Sequence, residues 1–245
     1  MDVLNHAGVK VAWYENNTGS KNVADRIAMV DLQNSGDTRY CKGGECLDQI
    51  LVDYLKEHLK NFNGNATIVL HMTGSHGPAY YRRYPAEFAR FQPECRTSEF
   101  SNCTNEKIVN AYDNTILYTD HILSEVIDLL KSNESRFAPA MIYMSDHGES
   151  LGENGLYLHA APYFIAPNEQ THIPFIAWFS PDYASATGLD TACLKQGAAS
   201  PASHDNLFHT VLGMMGVKTS VYDATLDRFA PAARRRWHRR VSGQS

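Results

Sequence analysis

An aspartate and a histidine stand next to each other, Asp146-His147, directly after an apolar run over 138–144. The run is typical of a buried strand, so both side chains would emerge together at its carboxyl end. A carboxylate and an imidazole in this arrangement can bind one divalent metal, and zinc suits such a mixture of oxygen and nitrogen ligands. Gly148 and Gly152 allow the backbone to turn tightly around the site. The sequence therefore predicts that Asp146 and His147 are zinc ligands.

Further histidines and a glutamate lie in or near the same candidate loops. His76 stands before Gly77-Pro78, a rigid turn that would hold the imidazole against a ligand. His159 follows an apolar stretch and is a candidate site residue, although a histidine packed at the edge of the core is the alternative. We expect His71 to be structural. Glu149 is either a metal ligand or a residue that orients one.

An anion-binding loop is predicted at 16–21, after a candidate strand. Lys21 supplies an ammonium group, Asn16 and Asn17 supply amides, and Gly19 permits an unusual backbone conformation. Clusters of Asn, Gly and Ser are also common in ordinary turns, so this loop alone is a weak indication. Beside a divalent metal and imidazoles, phosphate is the expected ligand, because these groups stabilise its charged oxygens.

The predicted elements place these loops at one edge of a sheet. Near-continuous apolar runs predict strands covered on both faces at 9–13, 66–72, 139–144 and 173–179. Helical apolar stripes lie between and after them, at about 47–59, 105–131 and 207–215. This alternation predicts an α/β fold with a largely parallel central sheet flanked by helices. Ligands of such folds bind beyond the carboxyl ends of the strands.

Length and composition indicate one globular domain with a short tail. The chain has 245 residues, 43% of them hydrophobic, which is enough to bury a sizeable core. We assign 1–230 to a catalytic domain and 231–245 to a basic tail, which is either solvated or in contact with anionic lipid headgroups. A net charge of −5 gives no general reason to expect nucleic-acid binding. We expect a monomer.

Four of the five cysteines form two close pairs along the chain, Cys41 with Cys46 and Cys95 with Cys103, and Cys193 is left over. Such short polar loops suit disulfides in an oxidising compartment, and reduced, incidental cysteines are the alternative. The sequence shows neither an export signal at its start nor an apolar run long enough to span a membrane. We therefore expect the chain to begin partway through a larger, exported protein.

Several motifs, in the same order along the chain, resemble the lipid A phosphoethanolamine transferases. This family includes the transferable colistin-resistance enzymes and belongs to the alkaline phosphatase/sulfatase superfamily. The resemblance runs from about residue 8 to about residue 230. Its motifs are NNTGSK at 16–21, HMTGSHGPAY at 71–80, AYDN at 111–114, SDHGESLGENG at 145–155 and SHDN at 203–206.

The resemblance implies a zinc enzyme in which a threonine takes phosphoethanolamine from phosphatidylethanolamine and passes it to a lipid A phosphate, which gives polymyxin resistance. Residues of this chain match the family's site. Asp146 and His147 match its zinc ligands, and Asn17 and Lys21 match its phosphoethanolamine-contacting loop. His76 and His159 match the catalytic histidines that bind the phosphoryl group or an additional zinc, and Cys41/Cys46 and Cys95/Cys103 match two periplasmic disulfides. The implied location is the periplasmic face of the bacterial inner membrane.

One part of the family's site has no counterpart in this sequence. In the family, the nucleophilic threonine and an acidic zinc ligand lie upstream of the 16–21 loop, after an amino-terminal membrane domain. Thr18 and Thr73 are the nearest threonines, and neither occupies the matching place. We therefore expect a chain without the nucleophile segment, inactive or nearly so alone, with part of its sheet uncovered. The alternatives are a sulfatase or phosphodiesterase of the same superfamily and a non-catalytic, truncated product.

Overall fold

The computed structural model describes residues 1–233 and 239–240. Its α-helices are α1 (Asp2–His6), α2 (Gln49–Asn61), α3 (Asn105–Lys131), α4 (Asn168–Thr171), α5 (Pro181–Thr187), α6 (Thr191–Gln196) and α7 (Asp205–Met214). Its strands are β1 (Lys10–Glu15), β2 (Ala28–Asp31), β3 (Cys41–Lys42), β4 (Glu45–Cys46), β5 (Ala66–His71), β6 (Ala140–Met144), β7 (Ser150–Leu151), β8 (Tyr157–Leu158), β9 (Phe175–Phe179), β10 (Val217–Lys218) and β11 (Arg239–Arg240).

The strand β1 is the centre of a parallel three-stranded sheet, with β2 on one side and β5 on the other. Trp13 pairs with Met29 of β2 and with Val69 of β5. Four of the six residues of β1 are buried, as expected for a strand that is covered on both faces. The predicted α/β fold with a largely parallel sheet is confirmed, and the predicted strands 9–13 and 66–72 match β1 and β5 to within two residues at each end.

The strands β6 and β9 form a separate antiparallel pair, in which Met144 lies opposite Phe175. They correspond to the predicted strands 139–144 and 173–179. Their opposite directions were not predicted, because a run of apolar residues indicates a buried strand without indicating which way it runs. The strand β2 was also not predicted. It lies at the edge of its sheet with most of its residues exposed, so it lacks a continuous apolar run.

The helices α2 and α3 supply most of the main hydrophobic core. Leu51 of α2 and Ile122 of α3 are almost completely buried, and burying a side chain of this size contributes roughly 1.5–3 kcal/mol. Ile68 of β5 and Met141 of β6 pack against the same cluster, so this core connects the two sheets. The helix α3 has the predicted bounds, and the Thr104 side chain caps its first turn.

No ladder joins β5 to β6 within residues 1–233 and 239–240. Every residue of these two strands is only half-buried, in contrast to β1. Apolar side chains and backbone hydrogen-bonding groups of the central sheet are thus partly accessible to solvent, which is the kind of surface that other chains can pair with.

We expect the chain to give a poor soluble yield when it is produced alone, because these half-covered strands can pair between molecules. Size-exclusion chromatography with light scattering would measure the fraction that is monomeric. A monodisperse sample with a sharp, cooperative thermal melt would contradict this expectation.

Buried tyrosines make the fold sensitive to alkaline pH. Burial raises the pKa of Tyr14 and of Tyr112 from 10.0 to about 12 in each case. Because these folded-state pKa values lie above the unfolded value, the stabilisation is complete below about pH 10 and is lost as the pH rises through about 12. We expect cooperative unfolding in this interval, measured by the loss of near-ultraviolet circular dichroism.

Tyr14→Phe tests the origin of this alkaline transition. The Tyr14 hydroxyl has no hydrogen-bond partner within the described part of the chain, so the substitution removes the titrating group without breaking a bond. The variant should unfold at a higher pH than the parent, whereas Tyr163→Phe, at an exposed position, should not shift the transition. Identical transitions in all three proteins would show that buried tyrosines do not control it.

None of the helices in the described residues combines the length and the apolar character that a membrane crossing requires. Most of the predicted tail, 234–238 and 241–245, lies outside the described residues. The strand β11, which lies in the tail, pairs in parallel with β10. The division into a domain at 1–230 and a tail at 231–245 stays a prediction.

Candidate functional site

The loops that follow β1 and β5 meet at one edge of the parallel sheet. The two strands are in register along their whole length, so they end at the same level. Just beyond them, the amide Nδ2 of Asn17 donates to the carbonyl of Met72 at 3.1 Å. The predicted anion loop at 16–21 and the histidine-containing loop after β5 are therefore neighbours, as the parallel order of the strands requires.

A buried carboxylate, Asp48, holds these two loops together. It lies at the start of α2 and accepts hydrogen bonds from Asn16 Nδ2 at 2.7 Å, from the Thr73 N–H at 2.9 Å and from the Gly74 N–H at 2.8 Å. Burial raises the pKa of the Asp48 carboxyl, and the three hydrogen bonds oppose this shift because they stabilise the ionised form. The motifs of the sequence did not indicate Asp48 as part of the site.

A second buried carboxylate, Glu15, ends β1 directly beneath the loops. It accepts hydrogen bonds from Trp13 Nε1 at 2.8 Å and from the Asn17 N–H at 2.7 Å. His71 Nδ1 also lies 2.8 Å from the Glu15 carboxylate. This contact supports the structural role expected for His71. Glu15 was likewise missed, because a single acidic residue at the end of a strand resembles a surface residue in the sequence.

The third loop follows β6 and carries the Asp-His pair. The Asp146 side chain is 83% exposed, and its Oδ2 lies 3.7 Å from His147 Nε2. His147 Nδ1 lies 2.9 Å from the carbonyl oxygen of Gly148, so this carbonyl engages Nδ1 and not Nε2. A side chain at Gly148 would collide with the carbonyl oxygen of Glu169, so glycine is required where these segments cross. The two predicted zinc ligands are therefore adjacent at the loop surface.

A buried glutamate connects His159 to the core. Glu149 Oε1 lies 2.8 Å from His159 Nδ1, and Glu149 Oε2 accepts a hydrogen bond from the Tyr80 hydroxyl at 3.2 Å. Burial is the main cause that raises the pKa of Tyr80, and the nearby charge of Glu149 adds to it. The Tyr80 hydroxyl therefore remains a hydrogen-bond donor. Both oxygens of Glu149 thus have partners, one of which orients the His159 ring.

The three predicted site histidines lie together. The rings of His147 and His159 stack with their centroids 3.9 Å apart, and the rings of His76 and His159 meet edge to face at 5.6 Å. His76 Nδ1 lies 2.8 Å from the carbonyl of Gly77. Each of the three rings thus has Nδ1 placed against an oxygen acceptor. This arrangement favours the neutral tautomer with its proton on Nδ1, which leaves the Nε2 lone pair free for a metal.

One group of potential metal ligands is found in the described part of the chain. It consists of His147, Glu149 and His159, whose donor atoms all lie within 4.8 Å of one another. Asp146 is outside this group, although it borders His147. The role of Asp146 and His147 as a zinc pair remains a prediction, as do the catalytic roles of His76 and His159.

The predicted anion loop presents Lys21 at the surface. Lys21 Nζ has only long contacts with the Thr18 carbonyl at 3.4 Å and with the Thr18 hydroxyl at 3.3 Å. The amide of Asn17 is engaged at both ends, because its Oδ1 accepts from the Thr18 N–H at 2.8 Å while its Nδ2 donates to Met72. Substrate binding by Lys21 and Asn17 remains a prediction.

Both expected disulfides are present, which confirms that interpretation of the cysteines. Cys41–Cys46 closes the short hairpin of β3 and β4, and Cys95–Cys103 closes a loop before α3. Cys193 is free and exposed.

The motif SHDN at 203–206 also touches the site. His204 Nε2 lies 3.1 Å from the carbonyl of Ser145, the residue before Asp146. The sequence alone indicates no role for this motif. His204 lies at the start of α7 and thus contacts the loop of the Asp-His pair from a segment far along the chain from β6.

Comparison with known proteins agrees with this geometry. The profile of the family described as Sulfatase matches residues 1–217. The chain is 44% identical over 235 residues to phosphoethanolamine transferase EptA of Salmonella typhimurium, covering 96% of this chain and 43% of that protein. It is 34% identical to phosphatidylethanolamine transferase Mcr-1 of Escherichia coli, covering 93% of this chain and 41% of that protein.

Solved structures give the same result. The soluble domain of lipooligosaccharide phosphoethanolamine transferase A from Neisseria meningitidis superimposes with a TM-score of 0.92 at 45% identity, covering 95% of this chain and 70% of that one. The full integral membrane protein from the same organism has the same TM-score of 0.92 and is covered over 44% of its length. The chain thus spans less than half the length of these full-length relatives. It belongs to the sulfatase family and, within that family, to the phosphoethanolamine transferases.

Proposed function

We propose that the protein containing this chain transfers phosphoethanolamine from phosphatidylethanolamine to lipid A at the periplasmic face of the inner membrane. The observation that carries the proposal is the cluster of His76, His147 and His159, next to the loop of Lys21. The named activities of the relatives support the same transferred group. The transfer would mask an anionic phosphate with an ammonium group, which weakens the binding of cationic peptides such as polymyxins.

The donor set fits zinc. His147, Glu149 and His159 offer two imidazoles and one carboxylate within 4.8 Å, which are ligand types that zinc accepts. Because both oxygens of Glu149 already have partners, we assign Glu149 to orienting His159 and assign metal binding to Asp146 and His147. When bound, zinc would neutralise negative charge on the phosphoryl oxygens.

The remaining site residues would hold the phosphoryl group. In the protonated form, His76 and His159 can each donate from Nε2 to a phosphoryl oxygen while Nδ1 donates to Gly77 or to Glu149. Lys21 can offer its ammonium to the same group, since its present contacts are long. We assign Asn17 to shaping this loop, because both ends of its amide are hydrogen-bonded. Any contact of Asn17 with phosphoethanolamine would be made while these hydrogen bonds hold the side chain in place.

We infer that neither Thr18 nor Thr73 is the nucleophile. A threonine nucleophile needs a metal or a base within hydrogen-bond reach, but the Thr73 hydroxyl donates to the Asn16 carbonyl, and the Thr18 hydroxyl accepts from the Lys21 ammonium, which has no lone pair to act as a base. The purified chain, incubated with zinc and a fluorescent phosphatidylethanolamine, is therefore expected to release little or no diacylglycerol. Turnover comparable to that of a full-length relative would contradict this prediction.

A chimera would test the proposed function in a complete enzyme. In it, the matching segment of the Salmonella relative is replaced by this chain, and lipid A is examined by mass spectrometry. We expect lipid A to gain phosphoethanolamine in the chimera and in its His6→Ala variant, since His6 lies exposed on α1. We expect no gain with His159→Ala. A folded, membrane-inserted chimera that never modifies lipid A would count against the proposal.

A hydrolase of the same family is the second candidate, because the matching family profile carries the description Sulfatase. Hydrolysis of a soluble sulfate or phosphate ester by the chimera, with lipid A unmodified, would favour it. A non-catalytic product is the remaining alternative, and zinc titration of the chimera separates it from both, since a chimera without a working site should bind the metal weakly.

A further inference from the structure

An uncharged apolar tip lies on the loop that follows His159. Residues 160–167 include no charged side chain. Tyr163 and Phe164 are each 87% exposed, and Ile165 is 54% exposed. Adjacent exposed side chains of this size commonly mark a surface that binds another apolar phase. We call residues 162–165 the apolar tip.

The neck of this loop is fixed to the site. The Ala161 N–H donates to Gln170 Oε1 at 3.2 Å, and Gln170 Nε2 donates to the buried Ser150 hydroxyl at 2.8 Å. The Gly148 N–H donates to the Gln170 carbonyl at 3.0 Å. One buried glutamine therefore ties both ends of the loop to the segment that carries His147 and Glu149.

The apolar tip itself is a closed turn. The Pro162 carbonyl accepts hydrogen bonds from the N–H groups of Ile165 and Ala166, both at 2.9 Å. A turn closed in this way loses little conformational entropy when it binds a partner, because its backbone is already ordered. The exposed aromatic rings are therefore held out from the protein by a defined structure.

The apolar tip is also close to the candidate active site. Tyr163 is four residues after His159, a distance of at most about 14 Å along an extended chain. The headgroup region on each side of a bilayer is roughly 5–7 Å thick. An apolar tip placed at the boundary between headgroups and acyl chains would thus keep His159 within reach of headgroup phosphates.

We propose that the apolar tip inserts into the interfacial region of a phospholipid bilayer and holds the site at the level of the headgroups. Tyrosine favours this boundary, with its ring in the apolar region and its hydroxyl in water, while Phe164 and Ile165 suit the acyl region. The absence of charge in 160–167 means that zwitterionic lipid is sufficient. The bilayer as the partner rests on the proposed function, in which the donor is a membrane lipid, and a 45% identical relative is an integral membrane protein.

A fluorescent label on the apolar tip would test the insertion. Phe164→Cys in a Cys193→Ser background gives one reactive thiol, because the other four cysteines form disulfides. With vesicles of phosphatidylcholine and phosphatidylethanolamine, we expect a blue-shifted emission from an environment-sensitive dye and quenching by nitroxide lipids. The matched control carries the label at Val221→Cys, which is 53% exposed on another loop, and should show neither effect. Equal signals at the two positions, or no shift at position 164, would overturn the proposal.

Removing the aromatic rings gives a second measurement. The double variant Tyr163→Ser/Phe164→Ser should lower the vesicle partition coefficient at least about tenfold, because each ring loses a favourable transfer from water. Its thermal melt should be unchanged, since both side chains are exposed. The proposal is overturned if the double variant partitions into vesicles as well as the parent does. This also applies if the binding proceeds through the half-buried strands β5 and β6.

The chimera described above separates this inference from the proposed function. Vesicle binding by the chain that depends on the apolar tip, without any transfer to lipid A by the chimera, would leave the inference standing and remove the function. Transfer to lipid A by the chimera, together with vesicle binding by the chain alone that survives replacement of the apolar tip, would remove the inference and leave the function.

Discussion

Replacing His147 by alanine is expected to weaken zinc binding by the chain about a hundredfold or more. His147 belongs to both candidate ligand groups, since it lies 3.7 Å from Asp146 and within the 4.8 Å set that includes Glu149 and His159. Loss of a residue that merely orients a zinc ligand lowers metal affinity about 10–100-fold, and loss of a ligand should lower it further. Isothermal titration, or competition with a chromogenic chelator, measures the change.

Two further substitutions make this result specific. His121→Ala removes a partly exposed imidazole on α3 that lies 3.7 Å from Glu125, away from the candidate site, and should leave zinc affinity unchanged. Glu149→Gln distinguishes the two roles of Glu149. If the glutamate orients His159, the zinc affinity should fall less than in His147→Ala. If the glutamate is a ligand, the zinc affinity should fall equally far. Equal zinc affinities of His147→Ala and His121→Ala would show that the metal binds elsewhere.

The positions of the site loops could be predicted because they depend on local patterns. Continuous apolar runs marked β1, β5 and β6, and polar residues directly after each run marked the loops. The parallel pairing of β1 with β5 then brings the 16–21 loop against the loop of His76 without any further information. The short cysteine spacings favoured both disulfides over reduced cysteines, and the family resemblance implied the same two pairs.

The contacts that orient the site could not be predicted from such patterns, because they join residues far apart along the chain. Glu15 and His71 are 56 positions apart, and Tyr80 and Glu149 are 69 apart. A lone acidic residue is more often exposed than buried, so sequence alone gives Glu15 and Asp48 no distinguishing mark. Their roles follow from the donors that surround them after folding.

Asp48 shows how large the effect of one such unpredicted residue should be. We expect Asp48→Ala to lower the free energy of unfolding by about 3 kcal/mol, because it leaves donors of Asn16, Thr73 and Gly74 without their acceptor, and each unsatisfied buried donor costs about 1–3 kcal/mol. For a chain of this size, the melting temperature should fall by roughly 6–12 °C. Thermal unfolding followed by circular dichroism measures both quantities.

The loss should extend to the site, because Asp48 is the group that holds the Asn16 loop against the loop of His76. Asp53→Ala is the matched control: Asp53 also lies on α2, but its side chain is 35% exposed and binds Arg39 and Tyr40 at the surface, so its loss should cost less than about 1 kcal/mol. Asp48→Asn should fall between the two, since its amide oxygen replaces one acceptor while its NH₂ group faces the remaining donors. Should Asp48→Ala melt at the same temperature as Asp53→Ala, the two loops must be held together by other contacts, such as the Asn17–Met72 hydrogen bond.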